Sequence, residues 1–426
     1  MLSPYFFIGS LTLFVLALAP LSGVLAKSQI TVGEPTPLQR MRSLGDVIRD
    51  SQNRAIHIVY VHGMRAEKPG QSGAFISRLE QSYDAKETLP SSRKYLLLEP
   101  WPKGAMVGTT SIWNTEADWR AAQPFIDRYV LHARRYNATI TVDEVNWWPL
   151  LFPLKCRILL EPEAMLAGVD EAHLKLCFND TPPYHQWLTP TDYDKALATR
   201  PALGGGAKAN KYVKQQIMDW GLSDAVIVTG PMRSYLNATM EAAFAYAATD
   251  KSTSEYVVIS ESLGSFVVLD AYSEDKPSVR AVLNATHDLY FFANQFALLE
   301  LARLEHIPLH PKVVDPAQLS LTVSEPEEAQ VQQSPLAALQ KWASAPPPAE
   351  FTATRSSVKQ IISFSDPSDA LTFRVPDFAN AKVSNVYVRN ATPWFGLFAD
   401  PVKAHSGQMQ NDALWKAMVR ENPPFH

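Results

Sequence analysis

The sequence lacks the features that mark several classes of protein. Its formal net charge is −4 over 426 residues, so it has no excess of basic residues of the kind that binds nucleic acid. It contains no G-x-x-x-x-G-K phosphate-binding loop, and we interpret Gly204–Lys208 as a flexible connector. Its ten histidines are scattered and its two cysteines lie far apart, which gives no metal-ligand pattern. The sequence thus predicts no nucleic-acid partner, no metal and no cofactor.

The share of charged residues is only 19%, beside 46% hydrophobic residues, and this composition argues against a disordered chain. The length suits one large α/β domain with insertions, or two modest domains. We predict one domain over residues 27–426. Within it, residues 146–203 are rich in Trp and Pro and form a predicted cap-like region above the carboxyl ends of the strands. An excursion packed elsewhere is the alternative. Residues 311–354 are a predicted low-complexity loop with one short helix near Leu336–Trp342.

The first 26 residues have the pattern of a targeting segment. Tyr5–Ala26 carries no charge, Pro20 interrupts its apolar run, and Val24–Ala26 offers small residues just before Lys27. We therefore predict a cleaved signal peptide and an exported protein, either periplasmic or secreted. The alternative is an uncleaved anchor that tethers the protein to a membrane through residues 5–26, because this stretch is long enough to span a bilayer.

The predicted export bears on the state of the two cysteines. An even number of cysteines in an exported protein favours a disulfide, here between Cys156 and Cys177. Closing a loop of this length contributes roughly 3 kcal/mol in the chain-entropy account. Two buried thiols are the alternative.

Ser262 lies between an apolar, β-branched run that begins at Tyr256 and a second apolar stretch with a helical pattern. This is the setting of a nucleophile elbow, in which a sharp strand-to-helix turn exposes a serine hydroxyl. The motif G-x-S-x-G is met by Gly264 at its last position, whereas Ser260 replaces its first glycine. The first and last positions of the motif require a small residue, and serine meets this requirement. A serine in an ordinary turn is the alternative.

A second buried-strand pattern, Ala55–Val61, ends in His62-Gly63. In enzymes with a nucleophile elbow, a strand followed by His-Gly supplies one N–H of an oxyanion hole. The residue after the nucleophile supplies the other. The predicted donors are the backbone N–H groups of Met64 and Leu263. We interpret the His62 ring as shaping this turn rather than as the catalytic base.

An acid and a base follow the serine in chain order. A predicted strand from Lys359 leads into a turn that carries Asp366 and Asp369, and His405 lies in a predicted loop before a last helix from about residue 411 to 419. A serine hydroxyl needs a base to become a good nucleophile, and the imidazole needs a carboxylate to fix its tautomer. The order Ser, Asp, His is the order of one triad architecture.

These motifs resemble those of the α/β-hydrolase superfamily, and the resemblance runs from about Ile56 to the C-terminus. It implies a mostly parallel central sheet with helices on both faces. It also implies a serine hydrolase without a cofactor, in which Ser262 attacks, His405 transfers the proton and Asp369 orients His405. Asp369 fits the acid turn of such enzymes better than Asp366, which is the alternative acid.

The predicted reaction is cleavage of an ester-like acyl bond through an acyl-enzyme, as in esterases and lipases, on a small-molecule or lipid-like acyl substrate. Two alternatives stay open: a peptidase or amidase on the same triad, and a non-catalytic envelope binding protein that retains the fold.

Local patterns predict the remaining elements. A strand near Asp288–Gln295 leads into an apolar helix, and Asn294 and Gln295 at its end are interpreted as helix-capping residues, although they could face the site. Between the first strand and the elbow the patterns predict helices at 72–82, 117–135, 210–220 and 231–248 and strands at 94–99 and 139–145.

Overall fold

The computed structural model describes residues 30–33, 38, 41–64, 70–107, 110–113, 115–160, 221–230, 232–303, 334–346, 358–391 and 399–420. The predicted leader, Cys177, most of the low-complexity loop and the greater part of the cap-like region therefore lie outside the described residues. In the described part of the chain, no helix combines the length and the apolar character needed to cross a membrane.

The large sheet has nine strands, in the order β1-β11-β10-β9-β8-β2-β7-β6-β3. Its six central strands, from β11 to β7, run parallel, while β1 at one edge and β6 and β3 at the other pair antiparallel. Two very short strands, β4 and β5, form a separate pair. The strands are β1 (Ile30–Gly33), β2 (Ala55–Val61), β3 (Ala85–Tyr95), β4 (Met106–Val107), β5 (Thr110–Ser111), β6 (Phe125–Ala133), β7 (Ala138–Asn146), β8 (Thr253–Glu261), β9 (Thr286–Phe292), β10 (Lys359–Ser365) and β11 (Ala381–Val388).

Helices cover the sheet on both faces. The α-helices are α1 (Leu44–Asp50), α2 (Gly73–Tyr83), α3 (Glu116–Ala121), α4 (Phe152–Lys155), α5 (Ser223–Thr229), α6 (Arg233–Ala247), α7 (Leu263–Ser273), α8 (Pro277–Ala285), α9 (Phe296–Leu299), α10 (Pro335–Ser344), α11 (Pro401–Ser406) and α12 (Asp412–Met418). Short 3₁₀ turns at Trp148–Leu150 and Glu300–Arg303 and a π turn at Cys156–Leu160 complete the list.

Two hydrophobic cores follow from the alternation of side chains along the strands. In β2, Val59 and Val61 face a core that includes residues of α5 to α8 and α10, whereas Ile58 and Tyr60 face a core that includes residues of α1, α2 and α12. All seven residues of β2 are buried, as expected for a parallel strand covered on both sides. The prediction of an α/β fold with a mostly parallel sheet and helices on both faces is thus confirmed.

Two local predictions are wrong. The helix predicted at 117–135 ends at Ala121, and β6 occupies Phe125–Ala133. Its apolar residues fit the period of a helix as well as that of a strand. The segment is a strand because it pairs with β7 over nine residues as a hairpin, through a turn in which Asn137 has a φ of 50°. The strand predicted at 94–99 overlaps only the end of β3, because residues 96–99 lie beyond its pairing with β6.

The described start of the predicted cap-like region is buried. Trp147, Leu150, Leu151 and Phe152 all belong to the core that includes the residues of α7. The short helix predicted within the low-complexity loop corresponds to α10.

Candidate active site

Ser262 occupies a strained turn between β8 and α7. Its φ of 49° and ψ of −122° lie outside the regions that residues with a side chain normally adopt, which costs about 1–3 kcal/mol. Hydrogen bonds to both backbone polar groups of Ser262 hold this conformation. The Ser262 N–H donates to the carbonyl oxygen of Phe292 at 2.7 Å, and the Ser265 hydroxyl donates to the carbonyl oxygen of Ser262 at 2.6 Å. The strain is therefore fixed by the neighbouring strand and helix.

The end of β2 packs directly against this turn. A Cβ atom on Gly264 would lie 2.5 Å from the carbonyl oxygen of His62, and one on Gly63 would lie 2.6 Å from the Cβ of Ser262. Both positions therefore require glycine. Ser260, which replaces the first glycine of the motif, is fully buried within β8, where it pairs with Val61 and Phe291.

Ser262, His405 and Asp369 form a hydrogen-bonded chain. The Ser262 Oγ lies 2.6 Å from Nε2 of His405, and Nδ1 of His405 lies 2.8 Å from Oδ2 of Asp369. Ser262 is 5% exposed, and the His405 side chain is 13% exposed. A carboxylate at Nδ1 selects the tautomer whose Nε2 lone pair accepts the serine proton. The geometry is thus suited to nucleophilic catalysis.

Asp369 is held in the ionised form. Burial alone would raise the pKa of Asp369, but hydrogen bonds from His405, from the Thr372 hydroxyl and from the backbone N–H of Leu371 together lower that pKa below its usual value. The backbone N–H of Asp369 donates to the carbonyl oxygen of Asp366 at 3.0 Å, which closes the turn after β10. The carboxylate is therefore fixed and charged where it meets the imidazole.

Asp366, the alternative acid, binds backbone rather than His405. Its carboxylate accepts hydrogen bonds from the N–H groups of Ser368, Asn390 and Ala391. These bonds tie the acid turn after β10 to the chain that follows β11. Because Asp366 is only 2% exposed, water could not accept these three N–H groups in place of its carboxylate. Its position is structural.

His405 lies in the last turn of the short helix α11, where the sequence predicted a loop. The Asp400 side chain accepts the N–H groups of Val402 and Lys403 and so begins this helix. The Asn390 amide donates to the carbonyl oxygen of Ala404 at 3.1 Å. Because Asn390 also donates its N–H to Asp366, the segments that carry the acid and the base are linked.

One predicted oxyanion donor directly follows Ser262, and the other lies just beyond the end of β2. Leu263 is the first residue of α7, so its N–H has no acceptor within the helix. Met64 follows Gly63, the residue that contacts Ser262, and its side chain packs against the core in a partly buried position. Both residues thus belong to the two backbone segments that meet at the Ser262 turn.

His62 is buried beside these donors. Its ring stacks on Trp147 at a centroid distance of 4.8 Å, and its Nδ1 lies 2.8 Å from the carbonyl oxygen of Gly63. Burial lowers the pKa of His62 to about 4, so the ring is neutral at physiological pH. The Trp147 indole N–H donates to the carbonyl oxygen of His62 at 3.1 Å. The ring therefore packs beneath the turn in an uncharged state.

Two further polar residues approach the triad. Nε2 of Gln295 lies 3.4 Å from Nε2 of His405, and no side-chain hydrogen bond from Gln295 caps α9. The capping interpretation is therefore wrong for Gln295, whose contact depends on a residue 110 positions away. Burial raises the pKa of Glu261 to about 7, while the charge of nearby His405 acts to lower it. In the described ranges, no group of three or more His, Cys, Asp or Glu side chains could hold a metal ion.

No protein-family profile matches the sequence, and no curated protein sequence matches it. Among solved structures, the chain is similar to the siderophore hydrolase EstB from Aspergillus nidulans, with 10% sequence identity. The alignment covers 95% of this chain and 86% of that chain, with a TM-score of 0.20. A TM-score of this size does not establish a shared fold. The fold therefore rests on the strands and helices of this chain, and the site on its own distances.

Proposed function

We propose that the protein is a serine hydrolase that cleaves carboxylic esters through an acyl-enzyme. The observation that carries the proposal is the hydrogen-bonded chain from Ser262 through His405 to Asp369, with the serine at a strained turn. Such strain at a non-glycine residue is maintained only by surrounding structure, and it clusters at functional sites.

In the proposed mechanism, the Ser262 Oγ attacks the substrate carbonyl while Nε2 of His405 accepts its proton. Asp369 holds Nδ1–H of His405 and stabilises the imidazolium that forms. The N–H groups of Leu263 and Met64 would bind the oxyanion of the tetrahedral intermediate, and one such donor is typically worth about 3–4 kcal/mol. His405 then returns the proton to the leaving alcohol. Water then attacks the acyl-enzyme and loses a proton to His405. The bond between the acyl carbon and the Ser262 Oγ breaks, His405 returns the proton to Oγ, and the acid is released.

The substrate class is proposed as a small-molecule or lipid-like acyl ester. This choice follows from the resemblance of the motifs to α/β-hydrolases and is therefore an analogy. Amide substrates use the same nucleophile, base and oxyanion donors, so a peptidase or amidase is the rival within the same site. A binding protein without activity is the rival outside it.

A substrate panel tests the proposal. We expect the purified protein to hydrolyse nitrophenyl esters of varied acyl length and to leave peptide nitroanilides intact, with an initial burst of nitrophenol that reports the acyl-enzyme. Ser262→Ala should abolish turnover. Ser384→Ala is the matched control, because Ser384 is a fully buried serine on β11. Equal turnover in wild-type protein and Ser262→Ala would refute the assignment, and turnover of anilides alone would favour the peptidase.

We further propose that the protein is exported, with cleavage before Lys27 and a disulfide between Cys156 and Cys177. The support is the uncharged leader and the even number of cysteines. N-terminal sequencing of protein from its native compartment should begin at Lys27, and non-reducing peptide mapping should join the two cysteines. An intact leader in washed membranes would instead make residues 5–26 an anchor, and free thiols would remove the disulfide.

A further inference from the structure

The turn after β9 is built between the elbow and the acid turn. Ala293 has a φ of 50°, a left-handed conformation that is costly for a residue with a side chain. The backbone on both sides of this bend is fixed. The Ala293 N–H donates to the carbonyl oxygen of Phe364 on β10 at 2.8 Å, while the carbonyl oxygen of Phe292 accepts the N–H of Ser262. The bend therefore directs the next two residues towards the site.

Asn294 anchors this turn to the acid side of the triad. Its amide donates to the Ser363 hydroxyl at 3.0 Å and to the carbonyl oxygen of Phe373 at 2.9 Å. The backbone of Gln295 is anchored to the elbow, because its N–H donates to the Ser265 hydroxyl at 3.3 Å. That hydroxyl in turn donates to the carbonyl oxygen of Ser262. The backbone that carries the Gln295 side chain is thus fixed relative to both the nucleophile and the acid.

The Gln295 amide points at the nitrogen that exchanges the proton. Gln295 is 2% exposed, and its Nε2 lies 3.4 Å from Nε2 of His405, whereas the Ser262 Oγ lies at 2.6 Å from the same nitrogen. A neutral imidazole offers one lone pair at Nε2, and the shorter contact shows that the serine occupies it. The amide therefore retains donor capacity for an atom that arrives beside Nε2.

We infer that Gln295 contacts the substrate and holds the leaving-group oxygen of an ester beside His405. When the tetrahedral intermediate collapses, the bond between the carbonyl carbon and this oxygen breaks, and its electron pair stays on the oxygen. The proton on Nε2 of His405 passes to the same oxygen, so the leaving group departs as a neutral alcohol. An N–H of Gln295 donates to a second lone pair and offsets the charge that develops there. This inference rests on the proposed function.

The consequence is a preference in substrate class. A donor to the leaving oxygen matters most when that oxygen carries much charge in the transition state, as for simple alkanols. It matters little for nitrophenols, which leave without assistance. The site is therefore suited to alkyl esters rather than only to activated aryl esters.

The test measures kcat/KM for esters of one acid with alcohols that range from nitrophenols to simple alkanols. Gln295→Met keeps the size of the side chain and removes its donor. We expect a loss of about 10–100-fold for the alkyl esters and less than about threefold for the nitrophenyl ester. Gln295→Glu, of the same shape, should show the same steeper dependence on the leaving group, which keeps the test valid if one variant folds poorly.

Gln123→Met is the matched control, because Gln123 is an equally buried glutamine that bonds the N–H of Leu98 and the carbonyl oxygen of Trp119. Its leaving-group dependence should equal that of the wild type. An equal loss for every ester in the Gln295 variants would show that the residue only positions His405, and would overturn the inference. A fluorophosphonate probe distinguishes failure of this inference from failure of the proposed function. If wild-type Ser262 reacts with it but the leaving-group dependence is unchanged in the variants, only the inference fails; if Ser262 does not react, the proposed function fails as well.

Discussion

Two buried aspartates lie three residues apart after β10, and exchanging each for asparagine should separate catalysis from stability. Asp369→Asn places an amide N–H opposite Nδ1 of His405, which drives the imidazole proton to Nε2 and prevents that atom from accepting the Ser262 proton. We expect kcat/KM to fall roughly 10³–10⁴-fold. The remaining amide oxygen still accepts the N–H of Leu371, so we expect the free energy of unfolding to change by no more than about 1–2 kcal/mol.

Asp366→Asn should have the opposite effect. Both oxygens of Asp366 accept backbone N–H groups, from Ser368 on one side and from Asn390 and Ala391 on the other. An asparagine amide must turn its NH₂ group towards one side and leave at least one buried N–H unpaired. The expected destabilisation is about 2–4 kcal/mol. The rate per folded molecule should fall less than about tenfold, because the contact between His405 and Asp369 is retained.

The assay combines denaturant unfolding with kcat/KM on an ester, corrected for the folded fraction. Asp377→Asn is the control, since Asp377 is about half exposed and bonds across the surface to Arg374. A variant at 369 that keeps its rate within about tenfold, beside a variant at 366 that loses it, would show that the acid is assigned to the wrong residue.

Three further predictions concern the turns beneath the site. Gly63→Ala should cut the rate about 100-fold or more, because its Cβ would displace Ser262, and activity close to wild type would contradict the close approach. The pKa of His62 is about 4 against an ordinary 6.5, so its contribution to the free energy of unfolding is complete above pH 6.5. About 3 kcal/mol of that free energy is lost as the pH falls through 4. In His62→Phe, with Trp147 retained, this dependence of the unfolding free energy on pH should disappear. The pKa of Glu261 is raised from 4.5 to about 7, which has the opposite effect. Its contribution to the free energy of unfolding is present below pH 4.5 and is lost as the pH rises through 7. Glu261→Gln should remove that loss in the same titration.

The sequence predicted the parts of the site that short patterns encode. The elbow is a strand, a turn and a helix between Thr253 and Ser273, and the need for small residues at positions 260 and 264 follows from that geometry alone. The positions of the acid and the base were predicted because both follow strands of a parallel sheet, whose carboxyl ends meet at one edge. The preference for Asp369 over Asp366 rested on the form of the turn.

Features that depend on distant pairing were not predicted. The segment at Phe125–Ala133 has an apolar pattern that fits a helix, and only its ladder with β7 makes it a strand. The Gln295 side chain meets His405 because Ala293 adopts a left-handed conformation and because β9 lies between β8 and β10, which no local pattern encodes. Thr372, which donates to Asp369, follows it by only three residues. The sequence therefore contained a local signal for this contact, a turn closed by a side-chain hydrogen bond.

The account depends most directly on the reactivity of Ser262. Folded wild-type protein treated with a fluorophosphonate should gain the mass of one probe, and peptide mapping should locate it on Ser262. Labelling should be lost in Ser262→Ala, be strongly slowed in His405→Ala, and persist at the wild-type rate in Ser384→Ala. Folded protein that does not react, or that reacts at another serine, would contradict the assignment of this site as the active centre of a serine hydrolase.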